Sequence, residues 1–468
     1  MRVSNEASKT VAVIGGGIAG MSAACALAEA GFSVRLIERR GYLGGRASSY
    51  LHPGVQETID NCQHALFGCC TNLLGFYERI GVEQQIHWTQ TMTMIEPGGE
   101  RSELGPVSLP APMHGLPKLM SAHAFTLGDK IALARALSAM MRPIEHDTGE
   151  SLAAWLKRHG QTEGAMKRFW RLVIASALNA ELEEISVPYA AKVIRELFMN
   201  SALAGSMGMS KVSLSELYGE VPKFLSLRGG SVELLAHVDA CDWNEAAKQW
   251  TIHTRTGDFT ADFVVAALPF EAMRKLMGAL PRIDGAETLA RQIEQHEHWP
   301  ICSVHLWFDR TITELEHAVL LDREVHWMYN QSRLQKREGN YIELVVSATR
   351  SFAALERKDA IELALKELKE FFPAAREAKV EKVALVKEVR ATFGVSPGID
   401  AARPGADDSP WPHLFLAGDW TRTGWPSTME SAARSGHLAA EAVSRAVGEP
   451  RRWLEADLKP TGLMRLFG

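Results

Sequence analysis

No stretch of this chain reaches the run of about eighteen consecutive apolar residues that a membrane-crossing helix needs, so no spanning segment is expected. Cysteine is scarce: Cys25, Cys62, Cys69, Cys70, Cys241 and Cys302 contain no Cys-x-x-Cys pair, and two of the six are adjacent. That spacing argues against a disulfide framework or a zinc site, and no metal is expected. Neither sign of charge dominates: the net charge of −5 gives no basic footprint for nucleic acid. The first ten residues are polar and lack the apolar run of a signal peptide. A cytoplasmic protein is expected, with peripheral contact at the inner face of the membrane left open.

The composition that remains, 46% hydrophobic and 23% charged over 468 residues, is that of a globular protein with more than one core. Residues 11–14 (VAVI) read as a buried strand. A glycine turn follows, then an alanine-rich helix through Ala30 closed by Gly31, then a second strand from Ser33 to Glu38. This βαβ opening predicts an α/β fold built on a doubly wound parallel sheet. Residues 83–214 read as mostly helical. Strand patterns return at 249–255 and 262–267, then in ICSVHLWF, VHWMY and YIELVVSA, with a charged helix near 358–372. A last strand, His413 to Ala417, leads into a helix from about Ser427 to Val447. The cofactor domain is therefore expected in three pieces, 1–82, 215–270 and 385–448. A substrate domain (83–214 and 271–384) lies between them, and a tail (449–468) follows.

Gly15-Gly16-Gly17-Ile18-Ala19-Gly20 places GxGxxG directly after a strand and at a helix start. Gly15 permits the turn, Gly17 admits a pyrophosphate to the backbone, Gly20 lets helix and strand pack, and the helix N-terminus attracts phosphate. Glu38, at the end of the second strand, is placed to accept hydrogen bonds from an adenosine ribose. Two further segments separate FAD from NAD. Arg39 with Gly44, Gly45 and Arg46 brings more glycines and cations toward the pyrophosphate. Gly418-Asp419, closing the last strand, offers a carboxylate to ribityl or ribose hydroxyls. Pro426, Ser427, Thr428 and Met429 open the last helix, whose positive end suits the flavin N1/C2 edge. Ser427 to Glu430 reads as a capping box. Val238 completes the cofactor set, and the expected cofactor is FAD.

At these residues the sequence resembles the flavin amine oxidase and phytoene desaturase superfamily. Asp60-Asn61-Cys62-Gln63-His64, Gly68-Cys69-Cys70, Tyr77 to Gly81, Ala177-Leu178-Asn179, Leu214 to Tyr218, Val325-His326-Trp327, Arg390-Ala391-Thr392 and Leu458 to Leu463 are similar to the hydroxysqualene dehydroxylases, also called squalene-associated FAD-dependent desaturases. Cys62 stands where that family has Gly, and Cys70 where it often has Tyr.

The resemblance implies a glutathione-reductase-type FAD domain with an inserted mixed α+β substrate domain. It also implies reductive dehydroxylation of hydroxysqualene, with hydride passing from reduced flavin to the allylic carbon as water leaves. A carotenoid-type desaturase or an amine oxidase, passing hydride the other way, is the alternative; Trp420 and Trp425 are the only candidates for an amine oxidase's aromatic pair. An escort protein of the same fold without flavin is disfavoured by the intact cofactor set. His64, Asp60 and Gln63 are the catalytic candidates: His64 or Asp60 either donates the proton the leaving hydroxyl needs or merely holds the loop.

Segments 172–178 and 197–209, with Trp307-Phe308 and Trp327-Met328, line either a substrate tunnel or the core. The tail from Arg451 mixes cations with Trp453, Leu454, Leu463, Met464, Leu466 and Phe467, which fits membrane contact or simple docking equally. The alternating charges of 354–387 read as a solvated face.

Overall fold

A computed structural model describes residues 8–467; the polar residues at the N-terminus up to 7 lie outside it. Five strands form an all-parallel sheet in the order Ser231–Glu233, Ser33–Ile37, Thr10–Ile14, Phe263–Ala267, Leu414–Ala417. The central strands are apolar on both faces because both are covered, by the helices Ile18–Glu29 and Met429–Ala446 and by a small three-stranded antiparallel sheet that includes Gln249–Thr254 and Phe259–Ala261, so their sequences run hydrophobic without alternation. The helix Ile18–Glu29 follows the glycine loop, and Gly31 (φ +94°) closes it in the left-handed conformation that glycine favours.

The C-terminal helix, Met429–Ala446, packs on Ile18–Glu29 with the two backbones almost touching. A Cβ at Gly436 would sit 2.2 Å from the Ala19 carbonyl oxygen and 2.9 Å from the Ala23 nitrogen. This crossing draws the last segment of chain onto the first, beside the glycine loop.

The second unit is built on a seven-stranded sheet ordered Val380–Phe393, His298–Phe308, Tyr341–Ser347, Trp327–Asn330, His317–Leu320, Met92–Ile95, Arg101–Leu104. It is a mixed sheet, because His317–Leu320 pairs in parallel with Met92–Ile95 while the other pairs are antiparallel. Val380–Phe393 belongs to this sheet along its length, so a domain boundary at 385 falls inside a strand.

Residues 83–214 are less helical than their sequence implies. Four-residue strands occur at Ile86–Thr89, Met92–Ile95, Arg101–Leu104 and Met207–Ser210. Runs this short cannot show a two-residue period above the surrounding Met and Leu content. Val238–Asn244 is a further strand that the pattern missed; it is half exposed at the edge of a three-stranded antiparallel sheet. Two helical segments, Met166–Ala175 and Arg195–Met199, are wound with the wider π geometry.

Gly436→Ala is expected to destabilise the protein by about 1–3 kcal/mol through overpacking, although Gly→Ala on an exposed helix face gains about 1 kcal/mol. A melting temperature at or above that of the wild type would show that the two helices have room to part.

Candidate functional site

One cavity of about 630 Å³ runs from the C-terminal ends of the parallel strands into the second unit. This is where ligands sit in open parallel sheets. At its first end lie Gly15, Gly17, Ile18 and Ala19, then Glu38, Arg39, Gly44, Gly45 and Arg46, with Val238 beside them. Gly418, Asp419, Pro426, Ser427, Thr428 and Met429 arrive from the other end of the chain. Gly20 is not among the lining residues. A Cβ there would lie 1.8 Å from the Gly15 carbonyl oxygen, so Gly20 serves packing alone.

The residues present fit a flavin dinucleotide. A Cβ built on Gly17 meets nothing closer than Gly45 Cα at 4.0 Å, so the absent side chain leaves a backbone cradle open at a helix N-terminus. The two glycine segments are knitted together: the Gly44 N–H donates to Gly16 O at 2.8 Å. Glu38 accepts the Gly16 N–H at 2.8 Å and the Arg40 N–H at 2.7 Å, one on each oxygen. The carboxylate is thereby held in place and keeps lone pairs for ribose hydroxyls.

Asp419 is buried and paired with Arg46, while its other oxygen accepts the Ser427 hydroxyl at 2.5 Å. Burial pushes this carboxyl up, but the Arg46 charge and the Ser427 hydroxyl outweigh it and hold Asp419 below the ordinary carboxylate range. Asp419 is therefore an anion whose first partners are protein groups.

The capping-box reading of Ser427 to Glu430 is displaced by one residue. Thr428 is the N-cap, its hydroxyl accepting the Ser431 N–H at 3.1 Å. Ser427 turns to Asp419, and Glu430 reaches the backbone N–H groups of Asn72 and Leu73 at 3.2 and 2.9 Å. Glu430 thus caps the neighbouring helix Thr71–Ile80 rather than its own.

The catalytic candidates divide. Gln63 and His64 line the cavity; Asp60 does not. Asp60 is buried behind the loop, bonded to the Ser49 hydroxyl and the Leu214 N–H, and it anchors structure. His64 donates from Nε2 to Asn61 O at 3.1 Å, and burial pushes its pKa down to about 4. It is a neutral imidazole near pH 7 and a poor source of protons. Cys62 adopts φ +71°, the conformation for which glycine is the usual choice. Its side chain packs with Ile59, Tyr341 and Val386.

Away from the flavin end the wall becomes apolar. Leu172 and Val173 come from one π segment, Leu197 and Phe198 from the other, with Met92, Leu104 and Met207 from the short strands. Trp327 and Tyr329 also face it, whereas Phe308 and Met328 are core and half-buried Trp307 stacks on Tyr341. Trp420 does not line the cavity; its indole N–H donates to Leu268 O at 2.8 Å, so it forms no aromatic pair with Trp425. Sequence reasoning missed Glu271, Tyr329 and Glu388. Glu388 and Arg390 lie at a break in the strand's register, where Arg390, Ala391 and Thr392 all line the cavity, so no two-residue alternation was there to find them.

A glycine-loop cradle closed by a distant Gly-Asp strand end, opening into an apolar chamber, defines a dinucleotide-dependent oxidoreductase. The sequence model described as flavin containing amine oxidoreductase matches residues 18–444, and the chain belongs to that family, with FAD as its cofactor. It is similar to a zeta-carotene desaturase of Synechocystis sp., 26% identical over 92% of this chain and 96% of that one. A 15-cis-phytoene desaturase of Synechococcus elongatus is 25% identical over 92% and 95%. Among solved structures, an oxidoreductase from Methanosarcina mazei superposes with a TM-score of 0.72 at 17% identity, covering 93% of this chain and 100% of that one. Putrescine oxidase bound to putrescine gives 0.72 at 16% identity over 94% and 99%. These two likenesses concern the fold.

Gly17→Ala is expected to leave the apoprotein's stability within about 0.5 kcal/mol, since the new methyl has space, while sharply weakening FAD retention. Thermal melts of apoprotein set beside the visible flavin band of purified protein test this. Full flavin content in the variant would place the phosphates elsewhere.

Proposed function

We propose that the chain is an FAD-dependent oxidoreductase acting on a long acyclic isoprenoid, with hydride exchanged at an allylic carbon. One observation supports the substrate class above others: the cavity holding the glycine cradle continues into a wall of Leu, Met, Val and Phe side chains. Such a wall rewards dispersion contact along a hydrocarbon and binds a charged ligand poorly.

Bound FAD supplies a two-electron hydride acceptor or donor. The chain's own residues do the rest. Glu38, the glycine segments and Asp419 would hold the dinucleotide; the apolar wall would exclude water and align the hydrocarbon; the Asn61–Ala65 loop lines the same cavity.

Withdrawal of hydride from the substrate, as the desaturase names of the relatives indicate, has the broader support. In that direction one carbon loses hydride and its neighbour a proton, leaving a double bond. The chemistry of the loop agrees, because neutral His64 and remote Asp60 are poorly suited to protonate a leaving hydroxyl. Reductive dehydroxylation of hydroxysqualene is the second reading, favoured by the segments similar to that family, from Asp60 to His64 through Leu458 to Leu463. There hydride enters the allylic carbon as the C–O bond breaks, and the hydroxyl takes a proton to leave as water. Amine oxidation lacks its aromatic pair.

We further propose that the substrate arrives from a membrane surface. No helix of the described residues is long and apolar enough to cross a bilayer. The tail is docked, with Trp453 and Met464 buried and the Leu463 N–H donating to Ala111 O at 2.8 Å. Leu463 and Leu466 nevertheless stay exposed, as do Leu109 and Met113 on the segment that receives them. Cationic Arg465 lies among them.

Anaerobic assays separate the readings. Oxidised protein given phytoene or zeta-carotene in micelles is expected to lose its flavin band as a longer polyene absorbs. Reduced protein given hydroxysqualene regains the band and forms squalene, seen by mass spectrometry, if the second reading holds. Silence with all of these overturns the substrate class. Removal of residues 451–468 is expected to reduce binding to anionic liposomes; unchanged binding would exclude the tail as the contact.

A further inference from the structure

A fully buried carboxyl stands behind the loop Asn61–Ala65, which lines the cavity. The strand Tyr341–Ser347 alternates: Ile342, Leu344 and Val346 enter the core beneath, while Val345 and Ser347 face the cavity. Glu343 lies on that second face, one step farther along and 0% exposed. Its Oε2 accepts from Gln331 Nε2 at 2.6 Å, and the same amide nitrogen donates to Gln63 Oε1 at 2.6 Å. Gln331 is itself 1% exposed, and Gln63 lines the cavity.

Both hydrogens of the Gln331 amide are thereby used, and Gln63 is engaged through its oxygen, leaving its NH₂ as the end available to the cavity. Glu343 Oε1 has no hydrogen bond of ordinary geometry, the Gln63 backbone N–H being the one further donor that favours its charged form. A carboxyl kept for structure alone would be half satisfied at considerable desolvation cost.

We propose that Glu343 is a positioning residue, setting through Gln331 which end of the Gln63 amide is presented to bound flavin and substrate. This rests on the cavity's being the flavin site and is independent of the direction of hydride transfer. A carboxylate is an acceptor only, so it forces the Gln331 amide to donate; a protonated carboxyl can also donate and so permits the reverse orientation.

Burial, then the nearby Asp60 charge, pushes the Glu343 pKa up to about 8. The other titratable groups around it are Asp60, whose carboxyl burial also pushes up, Cys62 on the loop, Tyr329 and Tyr341 on the strands, and His305 opposite it in register. His305 is held neutral by burial, at about 3, and the tyrosines and Cys62 are pushed well above their ordinary values, which leaves the two interacting carboxyls, Glu343 and Asp60, both pushed up by burial; of these Glu343 is the one bonded to Gln331.

The test is a titration of FAD-loaded protein from about pH 6 to about pH 10, reading the visible flavin spectrum and FAD affinity. The wild type is expected to show one transition near pH 8, with FAD affinity changing about fivefold across it. Glu343→Gln, of the same shape, is expected to abolish the transition while melting at or above the wild-type temperature at neutral pH. Gln331→Leu keeps the carboxyl but cuts the link and is expected to abolish it as well. An unchanged transition in either variant overturns the proposal. Should both fail to fold, Gln63→Leu, altered at the cavity wall, must lose the transition too, and a transition that persists there also overturns it.

Discussion

The site depends on the pairing of Arg46 with Asp419, side chains separated by 373 residues. A buried ion pair is weak evidence for stability, because taking both charges out of water offsets most of their attraction. Its consequence here is geometric. Arg46 ends the second glycine segment and also donates to Ala391 O at 2.9 Å on the long strand of the second unit. Asp419 ends the last parallel strand and holds Ser427 at the mouth of the C-terminal helix. One guanidinium therefore ties the second glycine segment and the end of the last parallel strand to the sheet that walls the substrate chamber.

The loop from Asn61 to Ala65 hangs from the same residue. Asn61 Nδ2 donates to Arg46 O at 3.1 Å, and Asn61 O in turn receives His64. The left-handed turn at Cys62 lies between Asn61, held by Arg46, and Gln63, held by Gln331. Flavin cradle, loop and buried carboxyl form a continuous hydrogen-bonded chain, with the apolar chamber beyond it.

The nucleotide half was legible along the chain because its signals are local. A strand, a glycine turn and a helix follow one another within twenty residues of Thr10, and a glycine that must accept positive φ or close contact declares itself by its type. The chamber was not legible in that way. Its lining comes from two π-wound turns and four-residue strands, too short for any period to emerge, and Trp307 and Trp327 look alike in sequence although only Trp327 reaches the cavity.

Sequence alone determined the cofactor: a dinucleotide's phosphates and hydroxyls demand particular residue types at particular spacings, and both clusters are present. Only tertiary structure decided what Asp60, His64, Glu343 and Glu430 do, because their roles follow from burial and from partners far along the chain. Asp60 faces inward to an anchor, His64 loses its charge to desolvation, Glu430 caps a helix other than its own, and Glu343, unremarkable within a β-rich run, becomes a carboxyl sealed behind the active loop. The protonation state of an ionisable side chain is set by the dielectric and hydrogen bonds around it, and those exist only once the chain has folded.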